Sequence, residues 1–107
     1  MSFHSEFEKS TSNKSEAEKD EDLKKELLSF KMILGEMGIQ MLVAIFRGAN
    51  TNETIMMLSG VPMNCVKGRL PVLINLNLVA AVGGLGGYHE YFITKEGCRF
   101  LTLIGQQ

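Results

Sequence analysis

With 107 residues, 45% of them apolar, the chain is long enough for one domain with a core and too short for two. Its formal net charge of −1 is unevenly spread: residues 1–26 hold eight acids against five lysines, net −3, and residues 27–107 hold four acids against six bases, net +2. A domain this mildly basic falls short of a tight non-specific nucleic-acid binder, no apolar run approaches the ~20 residues of a membrane span, and the polar start has no signal-peptide core.

In chain order, residues 1–20 form an acidic stretch whose main apolar residues are Phe3, Phe7 and Ala17, too few to offset the entropy of ordering, so a disordered tail is expected. At Asp20-Glu21-Asp22 the pattern changes: acids complement a helix start, and Leu23, Leu27, Phe30, Leu34, Met37 and Met41 follow at spacings of four and three. Gly35 and Gly38 interrupt this stripe, each costing a helix interior about 1 kcal/mol. The reading is an added helix over 21–35, then a helix over 39–48 that is apolar nearly all round. The stripe on the added helix predicts a dimer surface of Leu23, Leu27, Phe30 and Leu34, joined by Phe100 and Leu103 from the last helix. The competing reading folds that stripe back on its own domain.

Thr51, or Asn50 with Glu53, caps a short helix over 51–59 with Ile55 and Leu58 inward. Gly60-Val61 turns the chain into a helix over 62–76, where Val66, Leu70 and Leu73 face the core and Met63, Asn64, Lys67, Gly68, Pro71 and Asn75 face out. Pro71 predicts a kink or a restart within it, and Asn77 a left-handed residue after it. Two strands span 78–93, joined by Gly83-Gly84-Leu85-Gly86-Gly87. Thr94 caps a last helix over 95–104, with Cys98, Leu101 and Ile104 inward.

The segment 59–79 resembles the recognition unit of winged-helix transcription regulators of the broad MarR, ArsR and PadR type: Gly60-Val61 at the turn, Val66 and Leu70 inward, and Val72-Leu73 and Leu78-Val79 ending the helix and starting the wing. Tyr91-Phe92-Ile93-Thr94-Lys95-Glu96-Gly97 is similar to the segment that leaves the last wing strand and brings a Gly close to the core. The resemblance covers about half of the chain, from roughly Thr51 to Leu101. It implies an α+β, mainly α fold: a winged helix-turn-helix with a three-helix core and a two-stranded wing, here with an extra N-terminal helix and a C-terminal helix. Met56 stands where that family usually has a small residue, and Asn77 where it prefers Gly.

A helix-turn-helix places the start of its second helix in the major groove while nearby cations neutralise phosphates. The expected partner is double-stranded DNA, bound by a cytoplasmic homodimer that regulates transcription. Met63, Asn64, Lys67 and Arg69 come from the recognition helix, with Asn64 the base reader. Thr51 or Asn52 would contact phosphate, and His89, Tyr88 and Lys95 are the nearest candidates around a wing tip that lacks cations. Arg69 is equally suited to a salt bridge at the core edge. The alternative is a winged helix used for protein interaction, favoured by Pro71, Gly68 and the apolar Met63 and Leu85. No carboxylate pair or nucleophile-base arrangement points to an enzyme. No cofactor or metal is expected; Cys65 and Cys98 lack short ligand spacing and fit a reducing compartment, a sensor built from them with His89 being the weaker reading.

Overall fold

A computed structural model of the chain describes residues 16–84 and 89–105. Residues 1–15 of the tail expected over 1–20, with Phe3 and Phe7, and the loop tip with Leu85 and Tyr88 lie outside them. The described chain is mainly helical with one two-stranded antiparallel sheet, the α+β, mainly α class expected. The order is α1 (Glu16–Phe46), α2 (Asn52–Ser59), α3 (Met63–Asn75), β1 (Val79–Gly83), β2 (His89–Ile93) and α4 (Lys95–Leu103).

The two expected N-terminal helices form one long element bent at Gly35, whose φ of 64° and ψ of −176° are non-helical and open only to a residue without Cβ. Gly38 stays within the helix. The element starts at Glu16, so residues 16–20 are helical and do not belong to a tail: Glu18 and Asp20 place acids in the first turns, where the helix dipole favours them. Within Ala17–Phe46 an 18-residue window reaches a mean hydropathy of 1.5, long and apolar enough by composition to cross a membrane. This corrects the expectation that no stretch comes near that length. Here, Met41, Leu42, Ala44 and Ile45 from that element are buried in the domain's own core.

That core also takes Leu27 and Leu34 of α1, Ile55 of α2, Val66, Leu70 and Leu73 of α3, Leu78 and Val79 at the first strand, and Phe100 and Leu101 of α4. α1 packs against α2, α3, α4 and β2. The stripe expected at a dimer surface is therefore turned inward: Leu27 and Leu34 are 2% exposed and Phe100 is 0% exposed, while Leu23, Phe30 and Leu103 are half-buried against the same cluster. Burying a Leu or Phe removes about 1.5–3 kcal/mol of unfavourable hydration, and the nearest surfaces offering that are the chain's own α3 and α4. An exposed Arg99–Asp20 pair at 3.9 Å lies where α4 meets the first half of α1.

The rotation of α4 follows from Gly97. A Cβ there would lie 2.4 Å from the Leu78 carbonyl oxygen, so this face of the helix sits directly on the chain entering β1. Gly97, Phe100 and Leu101 are consequently the buried residues, whereas Cys98 and Ile104, expected inward, are half-buried. On α2 the inward residue is Ile55; Leu58 is 57% exposed, against expectation. Of the two caps offered, Thr51 and not Asn50 with Glu53 caps α2, and Thr54 is its reciprocal partner. Gly60, at φ 77°, closes the helix with its N–H on the Met56 carbonyl and redirects the chain into α3.

α3 runs as one helix through Pro71, where a kink or restart was predicted. Pro71 leaves the Lys67 carbonyl without its helical donor, at a point where both residues are exposed to solvent. The buried Val66, Leu70 and Leu73 hold the helix in place. Asn77 is left-handed as predicted, at φ 63°. β1 and β2 pair with Val79 opposite Ile93 and Ala81 opposite Tyr91. The Tyr91 N–H donates to the Asn50 carbonyl at 2.9 Å, which ties the hairpin to the chain just before α2. Thr94 caps α4 by accepting from the Gly97 N–H at 3.0 Å.

Candidate functional site

The start of α2, the outer side of α3 and the second strand converge on a cavity of about 190 Å³ lined by Asn52, Lys67, Leu70, Pro71, Ile74 and Tyr91. Each contribution has a local cause. Asn52 is the first residue of α2, set by the Thr51–Thr54 capping box immediately around it. Lys67, Pro71 and Ile74 recur at spacings of four and three, which places them on one side of α3. Tyr91 is held by the bond to Asn50, and its ring stacks on His89 with centroids 6.3 Å apart and planes at 21°.

The chemistry of this cavity combines a positive helix end, an ammonium group and aromatic faces. The first N–H groups of α2 point away from the helix body, where they and its dipole favour an anion. Asn52 Oδ1 is buried without a hydrogen-bond partner among the described residues. Leaving such an acceptor unmade costs on the order of 1–3 kcal/mol. An anionic group fits beside Lys67 and the start of α2.

Among the residues singled out from sequence, Asn52 and Lys67 come together here. Asn64 is exposed, and Met63 half-buried, one turn earlier on the same side of α3. Thr51 is half-buried with its hydroxyl engaged by Thr54, its oxygen accepting from the Thr54 N–H at 3.1 Å. His89 is exposed and joins through Tyr91. Lys95 is exposed in the first turn of α4 and does not line the cavity.

Arg69 is the correction. Its Nη1 donates to the Leu34 carbonyl at 3.3 Å. That carbonyl precedes the break at Gly35, where the regular helical geometry is interrupted, so the guanidinium reaches across from α3 to the bend in α1. It is turned toward the core side and not toward the outer side of α3. Position 69 directly precedes the buried Leu70, at the flank of the inner stripe, which is why sequence alone left both roles open.

Tyr91, Pro71 and Ile74 were missed as lining residues. The signal was present for Tyr91: alternation along a strand puts His89, Tyr91 and Ile93 on one face, and Ile93 packs on the core. The half-buried thiols of Cys65 and Cys98 belong to α3 and α4 respectively. Among the described residues no group of three His, Cys, Asp or Glu side chains could hold a metal ion. No family model, curated protein or solved structure matches this chain.

Proposed function

We propose that the chain is a winged helix-turn-helix regulator that binds double-stranded DNA as a homodimer in the cytoplasm. In this reading α2 and α3 are the helix-turn-helix and the hairpin is the wing. The observation that carries it is the cavity joining Lys67 on the outer side of α3 to the N-terminal end of α2 beside Tyr91. With α3 in the major groove, Asn64 meets a base edge, Lys67 a phosphate, and the α2 N-terminus the next phosphate along the backbone. Fluorescence anisotropy on labelled genomic fragments tests this. Binding that weakens as salt rises, with unlabelled specific sequence competing better than bulk DNA, is expected; no binding at low salt removes the reading.

A second reading, an interaction module for another protein, has its own support. Met57 and Leu58 on α2 are 74% and 57% exposed, and Val82 and Phe92 on the outer hairpin face are 55% and 44% exposed. Apolar side chains clustered on a surface suit a protein partner better than a phosphate backbone. Double substitution M57Q/L58Q, which adds no charge beside Arg47, separates the two: it leaves DNA affinity intact in the first reading and abolishes partner capture in the second.

A further inference from the structure

On one side of the first half of α1, Leu28 and Met32, four residues apart, are 44% and 91% exposed among the exposed Lys25 and Lys31. Beside them, at the bend, lies a cavity of about 350 Å³ lined by Lys31, Gly35, Glu36, Ile39 and Gln40. Gly35 puts no side chain into it, and a Cβ built there would meet nothing within 4 Å, so the hollow is open. Met32, the residue after Lys31 in the chain, is almost fully exposed. A protruding methionine beside a hollow is a self-complementary shape, as an interface between identical copies requires.

We propose that this face of α1 takes a second copy of the chain in antiparallel orientation, with Met32 of each copy seated in the hollow at the partner's Gly35. The charges select this arrangement. With Met32 against the partner's Gly35, the same register sets Lys31 opposite the partner's Glu36 and Leu28 opposite the partner's Ile39. The symmetric interface then holds two ion pairs flanking an apolar centre. A parallel pairing in register would oppose Lys31 to Lys31 and Glu36 to Glu36, which is unfavourable. Among the described residues neither Lys31 nor Glu36 forms an ion pair within its own chain, so both are available across the axis. This inference supplies the face for the dimer of the proposed regulator; it rests on that reading only for the dimer and makes no use of α3 or of DNA.

The test uses the full chain without DNA, followed by light scattering across a dilution series. Wild type is expected to be a dimer at micromolar concentration. K31E and E36K, each placing like charges opposite one another at both ends of the interface, should each need on the order of tenfold more protein to dimerise. Mixing the two variants in equal amounts should restore dimers at the wild-type concentration, because every opposed position in the mixed pair again carries opposite signs. M32D should be monomeric and unrescued by mixing. All three positions are exposed, and circular dichroism melts matching wild type confirm that the variants fold. A monomeric wild type, charge variants that dimerise like wild type, or a mixture that restores nothing would overturn the proposal. A dimer that behaves as described yet retards no DNA upholds this interface and removes the DNA reading alone.

Discussion

Two cations two residues apart on the same helix, and so on opposite sides of it, have opposite work in this protein. Lys67 is exposed beside the α2 N-terminus, whereas Arg69 reaches back to the Leu34 carbonyl at 3.3 Å. Substituting each by Ala therefore separates stability from binding. R69A leaves a carbonyl at the bend without its charged donor, so urea unfolding should show a loss of about 1–2 kcal/mol, with the salt dependence of DNA binding unchanged. K67A removes no internal contact: stability should stay within ~0.5 kcal/mol, while the slope of log K against log salt should shrink by about 1. If R69A reduces that slope and K67A does not, the assignment of the two side chains is reversed.

At the level of the elements, what was legible in sequence was whatever local chemistry decides. Thr51 and Thr94 as caps, Gly60 at the turn, left-handed Asn77 and the inward Val66, Leu70 and Leu73 depend on neighbours within a few residues, and all are found as read. The facing of α1 and α4 was not legible. The stripe through Leu27 and Leu34 suits a partner helix or the chain's own core equally well, and the choice is made by α3 and α4, far along the sequence. The same holds for Arg69, whose acceptor lies 35 residues away. At Pro71 the helix does not restart, one of the two outcomes expected: the proline's cost is real, but the flanking Val66, Leu70 and Leu73 are buried and keep the helix continuous. That leaves the cost stored in the native state. P71A restores a donor for the Lys67 carbonyl, gaining up to ~3 kcal/mol in the helix, and gives back about 1 kcal/mol through a more flexible unfolded chain. A net stabilisation near ~2 kcal/mol is expected in thermal and urea melts; an unchanged or lowered midpoint would mean that the bend energy has already been relieved elsewhere in α3.

For the whole molecule, the placement of cations bounds how the proposed regulator would hold DNA. Residues 27–107 carry Lys31, Arg47, Lys67, Arg69, Lys95 and Arg99 as their only bases. Arg69 is committed to the Leu34 carbonyl, Arg99 lies 3.9 Å from Asp20, and Lys31 borders the hollow at Gly35. Lys67, Lys95 and Arg47 remain for phosphates, with Arg47 on the far end of α1 beside Leu58. Each neutralised phosphate contributes about −0.9 to the salt slope, so three per protomer give a slope near −2.7, and a dimer about −5. Anisotropy between about 50 and 200 mM salt measures this directly, over the range in which counterion release dominates. Breaking the dimer with K31E should roughly halve the slope as well as weaken binding, because one protomer then meets the DNA alone. A slope much steeper than −5 would bring the lysines of residues 1–26 into the complex, and a slope near zero would leave α3 as a surface for protein in place of phosphate.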